Sequence, residues 1–328
     1  MRNWNSAQPN HPFMKVSVLI MTYNHAPFIA QALDSALMQA TNFPYEIIVS
    51  EDCSTDGTRE IVQTYHNRFP EKIRLMLSER NIATNAIVVR GIEAARGQYV
   101  ALLDGDDYWI SAEKLQKQAD FLDSHSHCAM CFHNATVIHE DSSEEARLWT
   151  PEHQPELTSL EDIWMGNYIA TCSTMFRKGL FERFPAWYDS FFPITDWPLH
   201  ILNAEHGQIG YLNTVMGVYR YHSGGCYSRL TELEKLEQTL KFYRRVNACL
   251  EFKYNDLVQI AISKYFIEWA EAYLERNDMN AAKYCFRRYF WERPINRYIS
   301  PKRMARLALR LYVPRVAAFG KLPGAQAN

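Results

Sequence analysis

No glycine occurs before Gly57. The first apolar run, residues 16–21, therefore cannot open onto the glycine-rich loop whose backbone N–H groups cradle a dinucleotide or a nucleoside triphosphate. Long apolar runs are missing too. None approaches the roughly 18 residues that a membrane-spanning helix needs, so no spanning segment is expected. The opening residues, MRNWNSAQPNHPF, contain no apolar stretch of the kind a secretory signal carries, and none is expected. The seven cysteines (Cys53, Cys128, Cys131, Cys172, Cys226, Cys249 and Cys285) are odd in number and irregularly spaced. They imply no disulfide framework and point to a reducing, cytoplasmic setting. A large charge excess is also absent: the net charge is −2, which argues against a general nucleic-acid binder.

What is present is an ordinary globular composition, 47% apolar and 22% charged over 328 residues, enough for one large domain or two smaller ones. The charge is unevenly placed. Residues 283–328 hold eleven Lys or Arg against a single acid, Glu292, so a basic tail follows a more acidic body. Three short apolar runs, 16–21 (VSVLIM), 46–50 (EIIVS) and 100–103 (VALL), stop at Thr22-Tyr23-Asn24, Glu51-Asp52 and Asp104-Gly105-Asp106-Asp107. Runs of this kind read as buried parallel strands. Between them Ile29, Leu33 and Leu37, then Ile61, Tyr65 and Phe69, recur at helical spacing. The alternation predicts a doubly wound α/β domain. Ser111 is expected to cap a helix over 112–124. An apolar segment over 128–138, a polar loop over 140–159 and irregular chain to about Gly225 are expected next. From Leu230 the apolar period becomes helical: Leu233, Leu236, Leu240, Tyr243 and Leu250 mark one long helix. A helical pair is expected about the turn at 276–278, with Pro294, Pro301 and Pro314 breaking the remainder. A boundary is placed near Ser228.

The acid cluster carries the chemistry. Asp104, Asp106 and Asp107 fall within four positions at the end of an apolar run. Like charges this close repel, and apolar neighbours disfavour ionisation. A hard divalent cation, manganese or magnesium, relieves both. A strand that ends in acids also delivers them to the crevice where open α/β sheets bind ligands. Asp106 and Asp107 are the expected metal-side residues. Glu51 or Asp52 is expected to accept from a base N–H or a ribose hydroxyl, with Thr22, Tyr23 and Asn24 lining the nucleotide. In Tyr219-Arg220-Tyr221-His222, Arg220 or His222 is expected near a diphosphate or the metal, the competing reading being a plain edge strand. Cys128 and Cys131, with His125, His127 and His133 nearby, form a lone CxxC, which fits a buried strand better than a zinc site. Residues 167–176 (NYIATCSTMF) read either as an acceptor-pocket wall or as a core strand.

The blocks VSVLIMTYNHAPFIAQALDSAL, EIIVSEDCSTDGTREIV and GQYVALLDGDDYW resemble the signature blocks of family 2 glycosyltransferases. The resemblance continues through ITDWPLHIL and VYRYH and covers residues 14–228. It implies a GT-A-like, Rossmann-like fold, a mostly parallel sheet flanked by helices, here with an α-helical C-terminal extension over 229–328 and a short tail over 1–13. It further implies inverting transfer of a sugar from a nucleotide-diphosphate donor, UDP-linked, to an acceptor hydroxyl in surface-polysaccharide or lipopolysaccharide assembly. In such enzymes the third block holds a divalent metal against the diphosphate, matching Asp104, Asp106 and Asp107. The second contacts base and ribose, matching Glu51 and Asp52, although Asp is usual where Glu51 stands. Asp196 stands where the family places its base. Two departures are visible: Asn81-Ile82-Ala83 replaces Asn-x-Gly, and Ile87-Val88-Val89 replaces Ala-Arg-Asn. The acceptor implied is a saccharide or a lipid-linked saccharide. Arg303, Arg306 and Arg310 form one helical stripe beside Met304, Leu307 and Leu311; this tail reads as a contact with the inner face of a membrane, as a dock on the acidic catalytic domain or as a solvated helix, the first being preferred. A non-catalytic nucleotide-sugar binding partner of another glycosyltransferase is the alternative.

Overall fold

The computed structural model describes residues 14–151, 153–225, 230–292 and 296–313. The tail over 1–13, the boundary near Ser228, and Pro294 and Pro314 lie outside them.

The elements β1 (Met14–Thr22), α1 (Ile29–Leu37), β2 (Tyr45–Glu51), α2 (Thr58–Arg68), β3 (Ile73–Leu77), α3 (Ala86–Ala94) and β4 (Gly97–Asp104) follow one another. The strands pair in parallel in the order β3-β2-β1-β4. All seven residues of β2 are buried, as a strand covered on both faces requires. Ile29 and Leu33 of α1 are fully buried, each contributing roughly 2 kcal/mol. The pairing register sets Thr22 opposite Glu51 and Met21 opposite Asp104, so the three predicted strand ends share one edge.

Next come β5 (Tyr108–Trp109), α4 (Lys114–Ser124), β6 (Cys128–His139), β7 (Arg147–Leu148), β8 (Leu157–Thr158), α5 (Leu160–Trp164), β9 (Met175–Arg177), α6 (Asp196–Ala204) and β10 (Gln208–Tyr221). The sheet continues as β4-β9-β6-β10-β5. β9 runs antiparallel to both β4 and β6, while β10 runs parallel to β6. The result is a mixed, mostly parallel sheet of ten strands among the described residues.

Two expectations change. The stretch expected to be irregular up to Gly225 contains β10, fourteen residues long. Its sequence, QIGYLNTVMGVYRY, interrupts apolar alternation with Asn213 and Thr214, where the pairing with β6 shifts register. It is flanked by β6 and β5 rather than forming an edge. The helix expected from residue 112 begins at Lys114, because Ser111 accepts from Glu113 N (3.3 Å) instead of capping a helical turn.

Trp164–Gly166 and Leu230–Asn328 group as a second compact unit, apart from Met1–Ile163 and Asn167–Arg229. It holds α7 (Glu232–Cys249), α8 (Asn255–Glu275), α9 (Met279–Glu292) and α10 (Pro301–Tyr312). Thr231 and Glu234 form a capping box at the start of α7. Ser300 caps α10, with Pro301 at its first position. No helix of the described residues is long and apolar enough to cross a membrane.

Candidate active site

Gly105 is the pivot of the acid turn. Its N–H donates to Met21 O (2.8 Å), so the chain leaving β4 crosses the end of β1. A Cβ at this position would stand 2.6 Å from Thr22 Oγ1 and 2.9 Å from His25 Nδ1. Only glycine allows that approach. The crossing carries Asp106 to two imidazoles: His222 Nε2 is 3.1 Å from Asp106 Oδ2, and His25 Nε2 is 3.5 Å away.

The three acids are not equivalent. Burial, then the charges of Asp106 and Asp196, push Asp104 well above the usual carboxylate range, against a smaller lowering effect of the neighbouring Thr171 hydroxyl. Burial also works against Asp106, but His25 and His222 outweigh it and hold this carboxyl low. His222 is raised in turn, chiefly through its bond to Asp106. His25 is lowered, chiefly by burial. Asp107 is raised by burial and by its two acidic neighbours.

Asp107, expected beside Asp106 on the metal side, is placed differently. It is 1% exposed. Its Oδ1 accepts from Arg220 N (2.8 Å), and its buried Oδ2 has no hydrogen-bond partner among the described residues, with the Cys172 thiol beside the carboxyl. Arg220 shares this inward role. Its guanidinium donates to Asp106 O (2.8 Å), Glu140 Oε1 (2.7 Å) and Gln31 Oε1, and lies over the rings of Phe28 and Tyr108. These contacts hold the acid turn in place.

At the second strand end the carboxylates are also committed. Glu51 is fully buried; it accepts from Ser54 N (2.5 Å) and pairs with the Arg59 guanidinium. Both of its oxygens are thus engaged within the protein. Asp52 accepts from Ile82 N (2.9 Å) and Ala83 N (3.1 Å), leaving lone pairs for one further donor. Ala83 occupies the left-handed region (φ 46°), which explains why a glycine suits this position. Thr22 is 2% exposed and faces the acid turn, whereas Tyr23 is 38% exposed. Asn24 (φ 54°) ties the first two strand ends together, accepting from Thr55 N (2.8 Å) and donating its N–H to Ser54 Oγ (2.9 Å).

Asp196 begins α6, and its charge bears on Asp104. Its Oδ1 accepts from Trp197 N (2.7 Å); its Oδ2 accepts from Asn167 Nδ2 (2.8 Å) and Thr171 Oγ1 (3.4 Å). Thr171 therefore touches both Asp104 and Asp196. Residues 167–176 supply these polar contacts from Asn167 and Thr171, pass through a 3-10 turn at Thr171–Ser173 and enter the sheet only at Met175, the start of β9. His25 and Thr171 escaped the sequence reading. The signal for His25 was its place inside the first block, directly after Asn24.

Among the described residues no three His, Cys, Asp or Glu side chains form a complete metal-binding group. Cys128 and Cys131 are buried in β6. The crevice instead offers one carboxylate and one imidazole 3.1 Å apart. That is about the separation of adjacent ligands around a six-coordinate ion with bonds near 2.1 Å. Magnesium-like ions take few protein ligands and complete their shell with phosphate oxygens and water. The donor set fits a divalent ion shared with a diphosphate.

Residues 17–184 match the Glycosyl transferase family 2 model, and the chain belongs to that family. An uncharacterized protein of Mycobacterium tuberculosis is 36% identical over 226 residues, 68% of this chain and 64% of that relative. TuaG of Bacillus subtilis, named as a teichuronic acid biosynthesis glycosyltransferase, is 34% identical over 160 residues, 49% of this chain and 60% of its own length. The matches thus span under two thirds of these relatives. Among solved structures, Staphylococcus aureus TarS 1–349 in complex with UDP-GlcNAc superposes with a TM-score of 0.54 at 19% identity, covering 92% of this chain and 88% of that one. The mannosyltransferase PcManGT of Pyrobaculum calidifontis, in complex with GDP-Man and Mn2+, gives 0.52 at 15% identity, covering 98% and 80%. These likenesses bear out the GT-A-type fold.

Proposed function

We propose that the protein is an inverting, metal-dependent glycosyltransferase that moves a sugar from a UDP-sugar to an acceptor hydroxyl in cell-surface polysaccharide assembly. The observation that carries this reading is the proximity of Asp196 to the Asp104–Asp106 turn, with the Thr171 hydroxyl between Asp196 and Asp104. Asp106 and His222 would hold the divalent ion, which when bound offsets the charge that builds on the departing diphosphate. Asp52, Thr22 and Tyr23 are assigned to the nucleoside. Asp196 takes the acceptor proton as the acceptor oxygen bonds to the anomeric carbon. The bond from that carbon to the diphosphate oxygen breaks on the opposite face, and UDP leaves with its electron pair. Asn167 and Thr171 hold the Asp196 carboxylate in orientation while it works.

Peripheral contact with an anionic membrane surface is proposed for the helical unit, in keeping with a lipid-linked acceptor. Leu307 and Leu311, expected on the membrane stripe, are buried in the unit's own core, and Arg303 pairs with Glu271. The exposed side chains Phe290, Trp291, Leu309 and Tyr312, with Arg306 and Arg310, support the contact instead. A thermal-shift panel of nucleotide sugars, with and without Mn2+, tests the catalytic reading. Stabilisation by a UDP-sugar that needs the metal supports it, and equal indifference to every nucleotide sugar contradicts it.

A further inference from the structure

We infer that Asn85 is a positioning residue for Asp196, joining the nucleotide side of the crevice to its acceptor side. The inference rests on the reading of Asp196 as the base. Asn85 is fully buried and precedes α3. Its Nδ2 donates to Tyr188 O (3.0 Å) and to Ile194 O (3.1 Å), and its backbone N–H donates to Asp189 O (3.3 Å). One residue thus fastens both ends of the segment from 188 to 194. The carboxamide can face only one way, because the flipped group would set oxygen against two carbonyl oxygens. The Tyr188 hydroxyl closes the segment further by donating to Thr195 O (2.7 Å). Asp196 is the next residue.

The other end of the connection is equally short. Asp52 accepts from the N–H groups of Ile82 and Ala83, and Asn85 follows two residues later. A set of directional bonds, part-buried at Asp52 and Ile194 and buried at Tyr188, therefore runs from the carboxylate at the end of β2, through residues 82–85, to the peptide preceding the base. The paired amide bonds fix one geometry, and breaking the buried one leaves the Tyr188 carbonyl desolvated and unpaired. Loosening this strut displaces the base while leaving the nucleotide contacts in place.

The test uses full-length Asn85→Ala and Tyr188→Phe. Turnover is read as UDP release from UDP-N-acetylglucosamine with Mn2+ across pH, and UDP binding with Mn2+ is read by calorimetry. Tyr188→Phe keeps the ring and its packing, so it carries the test if Asn85→Ala does not fold. Expected are a fall in kcat of at least tenfold for Asn85→Ala and several-fold for Tyr188→Phe, UDP affinity within twofold of the parent, and a displaced acid limb of the kcat profile. Parent-like kcat and pH profile in both variants would overturn the inference. So would a loss of UDP affinity that matches the loss of kcat. Asp196→Ala separates the two readings: if it retains parent turnover, the base assignment itself fails, and if it alone abolishes turnover, only the strut fails.

Discussion

His222 Nε2 lies 3.1 Å from Asp106 Oδ2, although the two residues are 116 positions apart. The meeting depends on Arg220, whose backbone N–H holds Asp107 and whose guanidinium holds Asp106 O. The end of β10 is thereby fixed onto the acid turn at the end of β4. The pair has the composition of a partial metal site, one hard oxygen and one imidazole.

Asp196→Ala is expected to lower kcat by about 10²–10⁴-fold, the usual contribution of a general base. UDP affinity in the presence of Mn2+ should stay within twofold, because Asp196 bonds to Asn167, Thr171 and Trp197 rather than to the second strand end. Steady-state kinetics beside calorimetry read the two quantities separately.

Glu46 is the structural counterpart of the acid turn at the opposite end of the sheet. It is fully buried, yet it is bonded to Ser17, Arg74 and Arg96. Burial opposes its charge, but these partners hold its carboxyl below the usual range. Glu46→Gln leaves two part-exposed guanidinium groups short of an anion and is expected to cost about 1.5–3 kcal/mol. Urea denaturation at neutral pH measures it.

Lys114 is fully buried over the Trp109 ring, with its Nζ unbonded, and burial pulls it down to about 7. A lysine depressed in the folded state destabilises it wherever the ammonium must be kept or discharged. Below pH 7 the whole penalty is present. Between about 7 and 10.5 the unfolded chain binds a proton the folded one does not, so the penalty shrinks as pH rises. The fall from 10.5 to about 7 corresponds to on the order of 5 kcal/mol. Lys114→Met should be more stable than the parent at pH 7, and the gap should narrow by pH 9. Paired denaturation curves at both pH values report it.

Trp291 is 85% exposed and Leu309 is 52% exposed. The protein should co-sediment with vesicles containing anionic phospholipid and not with neutral ones, and salt should weaken the binding. The double variant Trp291→Ser, Leu309→Ser should lose at least tenfold in vesicle affinity while retaining UDP binding.

The strand ends were legible because continuous apolar runs and their polar stops are local signals, and Thr22, Asp52, Asp104 and Asp106 do gather along one edge. The inward turn of Asp107 was not legible. It depends on a bond to Arg220, 113 positions away. Glu51 looked like a ligand residue by sequence alone, but the Arg59 guanidinium, in the first turn of α2, pairs with its carboxylate. β10 was obscured because its apolar alternation breaks at the same residues where its pairing slips. His25 shows the general difficulty: nothing local distinguishes a loop histidine from one that a glycine turn brings to a carboxylate.

Calorimetry of UDP binding in the parent protein, Asp106→Asn and His222→Ala, each with Mn2+ and with EDTA, tests the central claim most directly. The account predicts that Mn2+ tightens UDP binding in the parent by at least tenfold, and that either substitution removes most of this gain while EDTA-state affinities stay alike. A parent affinity that is the same with and without metal, or an Asp106→Asn variant with the full metal gain, would contradict it.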